Sequence, residues 1–203
     1  MKATLRNRLS FIVAIIVVLN SITISSMAYN TTDGLAKNLI RTKINGTWTF
    51  DVSSKISSRS MQDFDSAFSV WNAAAGKTLL KRSSQTHSLV SYPSEDGVCQ
   101  VYKELAGSTY LGQTHYHYDY SSSPRVYLSA DINMNAGQSF SNDQQSGYYD
   151  VWSVFLHEAG HVIGLGHRQD SSIKAVMDQD LQKGELRRYL SQDDKNGVNF
   201  IYK

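Results

Sequence analysis

The chain has 203 residues and a formal net charge of +2, with 41% apolar and 19% charged residues. This apolar content is enough for the core of one domain and excludes wholesale disorder, while two prolines and 13 glycines exclude collagen-like and proline-rich architectures. Because Cys99 is the only cysteine, an intramolecular disulfide framework and a cysteine-cluster metal site are also excluded, and without basic blocks the sequence gives no reason to expect nucleic-acid binding.

Residues 1–28 are typical of a secretory signal peptide. They contain three basic residues, no acidic residue and an unbroken apolar run over residues 11–19, and small residues stand at the −3 and −1 positions of a cleavage site after Ala28. The alternative, a membrane anchor, needs about 20 apolar residues, and this run is shorter. We therefore expect a secreted, extracellular protein, monomeric by default, without stable membrane association once the signal is removed.

Residues 29–43 are polar and without periodicity. We interpret them as a short N-terminal arm or propeptide, too short for a folded prodomain, ahead of one domain over residues 44–203. At the start of this domain, residues 47–52 alternate around aromatic side chains and predict a strand.

The first helix is predicted over residues 60–76, where apolar side chains form one stripe. Ser60 and Asp63 have the spacing of a capping box at its start, and Gly76 is a typical helix end. Short β-type runs separated by Gly, Ser and Pro follow. These runs cover residues 87–92, 98–102, 109–119 and 125–133.

Two further helices are predicted in the C-terminal third of the chain. Residues 148–163 are apolar on more than one side, which is typical of a helix inside a domain. The last helix begins at Ser191, which forms a second capping box with Asp194. Strands between helical segments predict an α/β (α+β) fold with a mixed, twisted sheet covered by helices on both faces.

The side chains that indicate chemistry are concentrated in the segment HEAGHVIGLGH, residues 157–167. On a helix, His157 and His161 are one turn apart and project from the same face, where both can bind one metal ion. Gly164 permits a sharp turn that brings His167 to the same ion, and three nitrogen ligands leave the open position of a catalytic zinc site. Glu158 lies about 100° around the helix from His157, beside that open position.

This segment matches the metzincin signature of zinc peptidases, and the chain resembles the matrixins, the matrix-metalloproteinase group. Further segments are similar to parts of that family. Residues 175–177 resemble its Met-turn, residues 190–198 its C-terminal helix, and residues 48–50 and 67–71 its first strand and first helix.

The resemblance implies a zincin-like catalytic domain with an active-site helix, a Met-turn and a C-terminal helix. Met177 would form the apolar floor beneath the zinc. Asp193 and Asp194 would anchor the Met-turn backbone and, in some members, a new N-terminal amine. The chain departs from the family where Arg168 replaces the usual serine and where Asp178 and Gln179 replace the usual tyrosine and proline.

Other metal sites of the family are incomplete here. His115 matches one ligand of the family's structural zinc, but Asn133 stands where another histidine is expected. Since His115 and His117 share one face of a predicted strand, they are candidates for a second metal or for solvated or hydrogen-bonded histidines. Asp131, Asn133 and Asn135 are candidate calcium ligands without a full ligand pattern.

The means by which the enzyme would be kept inactive before activation also differs from that of the family. Cys99 lies within the domain and is expected to be a small buried hydrophobic residue rather than a cysteine switch. Asp33 in the arm is either a carboxylate that plugs the open zinc position or a plain solvated residue.

These features predict a secreted zinc-dependent endopeptidase in which Glu158 is the general base for a zinc-bound water. By resemblance, a protein or peptide substrate would lie as an extended strand against a sheet edge that includes part of residues 111–118. The alternatives are a catalytically silent zinc-containing module that binds extracellular components and a zinc amidase that acts on cell-wall amides. The base and the open ligand position favour catalysis, because structural zinc sites are closed.

Overall fold

The computed structural model describes residues 30–31, 46–89, 91–94, 96–107, 110–119, 121, 126–168 and 174–203. In chain order the elements are β1 (Asn30–Thr31), β2 (Trp48–Ser53), α1 (Ser58–Ala75), β3 (Leu80–His87), β4 (Cys99–Tyr102), β5 (Gly112–Asp119), β6 (Val126–Met134), β7 (Phe140–Ser141), β8 (Tyr149–Asp150), α2 (Val151–Val162), β9 (Leu165–Gly166) and α3 (Gln192–Tyr202). The predicted signal peptide and Asp33 lie outside the described residues.

The main sheet has five strands in the order β3-β2-β4-β6-β5. Neighbouring strands are parallel except at β5, which pairs antiparallel with β6 and forms one edge of the sheet. The predicted α/β class with a mixed sheet is therefore confirmed. In a separate short pair, β1 lies antiparallel to β9, so that this part of the N-terminal arm is next to the segment leading to His167.

All three helices belong to one hydrophobic core on one face of the sheet. The ring of Phe68 in α1 lies 5.4 Å from that of Phe50 in β2 and 5.3 Å from that of Phe155 in α2. In α3, the Tyr202 hydroxyl donates to the carbonyl of Ile163 at 2.9 Å. The apolar side chains of the sheet and of all three helices form this single cluster.

The N-cap of the first helix lies three residues before the predicted one. Ser57 is the N-cap, and its hydroxyl accepts the backbone N–H of Ser60 at 3.2 Å. Asp63 is buried and accepts a hydrogen bond from the side chain of Asn142 at 2.6 Å, so it does not complete a capping box. Gly76, in the left-handed region with φ 69°, ends the helix as predicted.

The second predicted capping box is confirmed at Ser191 and Asp194, where both reciprocal hydrogen bonds are present. The predicted runs 98–102, 109–119 and 125–133 correspond to β4, β5 and β6. The strand predicted over residues 87–92 is wrong, because the observed strand β3 ends at His87. The largely polar sequence of β3, LKRSSQTH, gives little β signal, and its pairing with β2 holds it in the sheet.

Cys99 is buried in β4, as expected for a small hydrophobic residue, and burial raises the pKa of its thiol to about 12. Within the described part of the chain, no helix combines the length and the apolar character needed to cross a bilayer.

The edge strand β5 lies alongside the buried helix α2, and this pair of elements positions the site described next.

Candidate active site

The helix that carries the HEAGH segment is fixed at its start and along its length. Asp150 is the N-cap of α2, and its carboxylate accepts the backbone N–H of Ser153 at 2.9 Å and a hydrogen bond from Arg188 at 3.0 Å. At the residue directly before His157, the indole N–H of Trp71 donates to the carbonyl of Leu156 at 2.8 Å. These contacts fix the direction in which the next side chains project.

The three predicted ligands converge on one point. The Nε2 atom of His161 lies 3.0 Å from that of His157 and 3.1 Å from that of His167, and the latter two are 3.2 Å apart. Gly164 makes this possible, because its φ of 102° is a left-handed conformation that turns the chain back after α2. Among the described residues, these histidines form the one group of three or more candidate ligands.

Whether a metal fits can be judged from the hydrogen bonds of the Nδ1 atoms, which lie on the side of each ring away from the Nε2 cluster. Nδ1 of His157 lies 2.7 Å from the carbonyl oxygen of Val176, and Nδ1 of His161 lies 2.8 Å from that of Leu165. Since a carbonyl oxygen only accepts, each Nδ1 carries the hydrogen and each Nε2 presents a lone pair. Lone pairs directed at one another over 3.0 Å repel unless a cation lies between them, and carbonyl-bound histidines are the usual ligands of metals.

Burial keeps these imidazoles neutral. Burial and the neighbouring His161 hold the pKa of His157 well below its ordinary value, and burial lowers the pKa of His161 to about 4. The pKa of His167 is also lowered by burial. At neutral pH the three rings are therefore in the form that binds metal without first losing a proton.

Glu158 lies beside this cluster and is almost completely buried, with 5% of its surface exposed. The hydroxyl of Thr114 in β5 is 2.8 Å from its Oε2 atom. Burial raises the pKa of the Glu158 carboxyl to about 7, against the opposing effect of the Thr114 hydrogen bond. Gly112 gives the carboxylate its space, because a Cβ atom there would lie 2.7 Å from both Cγ and Oε1 of Glu158.

The segment over residues 175–178 lies beneath the histidines and is fastened to α3. The Asp194 carboxylate accepts the backbone N–H groups of Val176 at 3.0 Å and Met177 at 3.2 Å. The sulfur of Met177 packs against the bare backbone of Gly160, where a Cβ atom would be only 2.4 Å away. Since the carbonyl of Val176 holds His157, α3 is connected to the metal ligands through this segment.

The other predicted metal ligands form hydrogen bonds on the far face of the sheet. Nε2 of His117 lies 3.4 Å from Oδ2 of the buried Asp131, and its ring is 5.1 Å from that of His115. Oδ1 of Asn133 accepts the N–H of Glu104, and Oδ1 of Asn135 accepts those of Ala106 and Gly137. These oxygens therefore already bind backbone donors of the connecting segments, and a second zinc or a calcium ion there stays a prediction.

A family model described as Matrixin matches residues 41–203. The chain belongs to the matrixin family. This family implies a catalytic zinc, and the cluster of three histidines fits a zinc site.

This matrixin is similar to two plant proteins. It is 31% identical over 78 residues to Metalloendoproteinase 1 of Glycine max, which is 38% of this chain and 25% of that protein. It is 26% identical over 160 residues to Metalloendoproteinase 2-MMP of Arabidopsis thaliana, which is 77% of this chain and 40% of that protein. The chain thus spans less than half the length of these relatives.

One solved structure found by comparison with this chain is high choriolytic enzyme 1, a hatching enzyme zinc-protease from the medaka fish Oryzias latipes. The two share 13% sequence identity and a TM-score of 0.41, over 88% of this chain and 96% of that one.

A cleft of about 1190 Å³ runs past the three histidines. Residues 110–114 of the segment entering β5 line one wall, and residues 178–182 line the other. The sequence predicted a substrate edge that includes part of residues 111–118, but it did not single out Gly112, Thr114 or Arg187 as residues of this cleft. A glycine and a threonine near the start of an edge strand are too common to indicate a site, and Arg187 lies 30 residues from His157 in the sequence.

Proposed function

We propose that this matrixin is a zinc-dependent endopeptidase that hydrolyses peptide bonds of extracellular proteins. The observation that carries the proposal is the convergence of three neutral imidazoles next to the buried carboxylate of Glu158, in an open cleft. A site that only held a structural metal would need a fourth protein ligand, whereas among the described residues this group has three.

His157, His161 and His167 would hold the zinc, which when bound supplies the Lewis acidity that activates water and polarises a peptide carbonyl. Glu158 accepts a proton from the attacking water and delivers it to the nitrogen of the leaving amine. A pKa of about 7 suits both transfers, because the carboxyl can take up and release a proton near neutral pH.

The edge strand β5 supports binding of an extended substrate. Its partner β6 pairs with one side of the strand, and the start of β5 lines the cleft with its other side. Main-chain hydrogen bonds along such an edge give affinity with little demand on the substrate sequence. Selectivity would therefore come from side-chain contacts with the opposite wall, which includes Asp178 and Leu181.

Cleavage of an unfolded protein such as casein tests the proposal. The purified chain is compared with Glu158→Gln, and the zinc content of both is measured by mass spectrometry. We expect zinc in both proteins and cleavage only by the unsubstituted one. If both bind zinc and neither cleaves, the site is a silent binding module and the proposal is wrong.

We also propose that residues 1–28 direct export and are removed after Ala28. The basic start, the apolar run and the small residues before the cleavage site support this proposal. N-terminal sequencing of the protein recovered from the medium of expressing cells is expected to begin at Tyr29. A protein that stays in the cells with an intact Met1 would contradict it.

A further inference from the structure

Arg168 directly follows the third histidine and is buried, with 1% of its side chain exposed. Its guanidinium lies between two carboxylates. Nη1 is 3.6 Å from Oδ1 of Asp178, and Nε is 3.6 Å from Oδ2 of Asp193. The backbone N–H of Arg168 also donates to the carbonyl of Met177 at 2.9 Å.

The two carboxylates belong to different parts of the metal site. Asp178 ends the segment beneath the histidines, and its Oδ2 accepts the backbone N–H of Ala175 at 3.0 Å. Asp193 is in the first turn of α3, next to the Asp194 that binds Val176 and Met177. One buried cation therefore connects the third histidine, the segment over residues 175–178 and α3.

The three charged side chains are largely buried, so each depends on its partners rather than on water for stabilisation. The side chains of Asp178 and Asp193 are 15% and 17% exposed, so both carboxylates are largely removed from water. A buried charge that loses its partner is strongly unfavourable, and the surrounding backbone moves or admits water in response. Here the backbone that would move includes His167 and Met177, because both are joined to Arg168 by the chain or by a hydrogen bond.

We propose that Arg168 is a positioning residue of the metal site, whose guanidinium between Asp178 and Asp193 holds His167 and the segment over residues 175–178 in the geometry that retains zinc. The inference rests on the proposed zinc site, but not on peptidase activity. It also gives Asp193 a cationic partner within the described domain.

The test is the rate at which the loaded protein gives up zinc to a chromogenic chelator, measured by stopped flow. Four variants of the full chain are compared, namely Arg168→Gln, Arg168→Lys, the double variant Arg168→Gln/Asp193→Asn, and Arg82→Gln. Arg82 is the matched control, because it pairs with Asp65 at 2.7 Å between β3 and α1, away from the histidines. Thermal unfolding of each variant is recorded alongside.

We expect Arg168→Gln to release zinc about tenfold faster or more, since partners that orient metal ligands typically have effects of that size. Arg168→Lys keeps the positive charge but not the planar guanidinium, so its release rate should lie between those of the unsubstituted chain and of Arg168→Gln. The double variant should recover part of the loss, because it removes a carboxylate that Arg168→Gln leaves without its cation. Arg82→Gln should change the release rate less than twofold even where it lowers the Tm.

A release rate for Arg168→Gln equal to that of the unsubstituted chain would overturn the proposal and leave Arg168 a merely structural residue. So would a double variant no slower than Arg168→Gln alone. If Arg168→Gln does not fold, the release rates of Arg168→Lys and of a fifth variant, the single substitution Asp193→Asn, decide in the same way. A chain that binds no zinc defeats this proposal and the proposed function together, whereas a chain that binds zinc but cleaves nothing defeats only the proposed function.

Discussion

The hydroxyl of Thr114 lies 2.8 Å from Oε2 of Glu158 and 3.1 Å from the backbone carbonyl oxygen of the same residue. Thr114 is in the edge strand β5 and Glu158 is in the buried helix α2, so this contact joins the proposed substrate-binding strand to the proposed base. A hydroxyl has one hydrogen to donate, and when it is directed at Oε2 it fixes the orientation of the carboxylate.

Thr114→Val removes this hydrogen bond without changing the size of the side chain. A hydrogen bond to a charged group contributes about 1.5–3 kcal/mol, so we expect kcat to fall roughly 10- to 100-fold. KM should change little, because the hydroxyl is directed at the base. Steady-state kinetics on a fluorogenic peptide checks this, with Thr114→Ser expected to keep most of the activity.

The matched control is Thr86→Val, an exposed position in β3, which is the edge strand at the opposite end of the sheet from β5. This variant should retain the kcat of the unsubstituted chain. Equal losses in Thr114→Val and Thr114→Ser would show that the hydroxyl has no orienting effect.

Gly112→Ala is expected to displace the base while leaving the metal in place. The added Cβ would lie 2.7 Å from the Glu158 side chain, so the carboxylate has to move, whereas none of the nearest atoms belongs to the three histidines. We predict a loss of activity of roughly tenfold or more, by analogy with other misplaced catalytic groups. Zinc content should stay at one ion per chain. Gly107→Ala, where no atom lies within 4 Å of the added Cβ, is the control.

The convergence of the three histidines could be predicted from the sequence because it depends on local geometry. A spacing of four residues on a helix and a glycine turn determine the relative positions of His157, His161 and His167. The capping box at Ser191 is local in the same way. For α1 the sequence offers two serines, each with a polar residue three positions later. The burial of Asp63 against Asn142, 79 residues away, selects Ser57 as the cap.

The contacts that tune the site could not be predicted, since they join residues far apart in the chain. Thr114 and Glu158 are 44 residues apart, and which of the many polar side chains in β5 faces α2 depends on the register of the sheet. The partners of Arg168 likewise lie in two later segments. The sequence showed that Arg168 is unusual for the family, but the reason required the positions of Asp178 and Asp193.

Gly160→Ala tests the packing beneath the metal ligands. The added Cβ would lie 2.4 Å from the sulfur of Met177 and 2.9 Å from the ring of Trp71, so either the helix or Met177 must shift. Overpacking of this kind costs about 1–3 kcal/mol, which lowers the Tm by roughly 2–10 °C for a chain of this size. Differential scanning calorimetry measures the change.

The effect of Gly160→Ala should be smaller in a Met177→Ala background, because that substitution removes the sulfur from the crowded position. Two neighbouring substitutions of this kind are not additive. If the two variants destabilise the protein additively, Met177 does not oppose a side chain at position 160.

Glu185 provides a test of acid stability. Although partial burial raises the pKa of its carboxyl, hydrogen bonds from Lys174, the backbone of Gln182 and Arg187 lower it to about 2, below the ordinary value of 4.5. A carboxyl whose pKa is lower in the folded state than in the unfolded state stabilises the fold at pH values above its unfolded-state pKa. This contribution is lost as the pH falls from about 4.5 to about 2. Glu185→Gln should therefore lower the free energy of unfolding at pH 7, and its difference from the unsubstituted chain should shrink steadily over that acid range. Urea denaturation at pH 7, 4 and 3 measures the difference, and a gap that stays constant down to pH 3 would show that Glu185 does not titrate in this way.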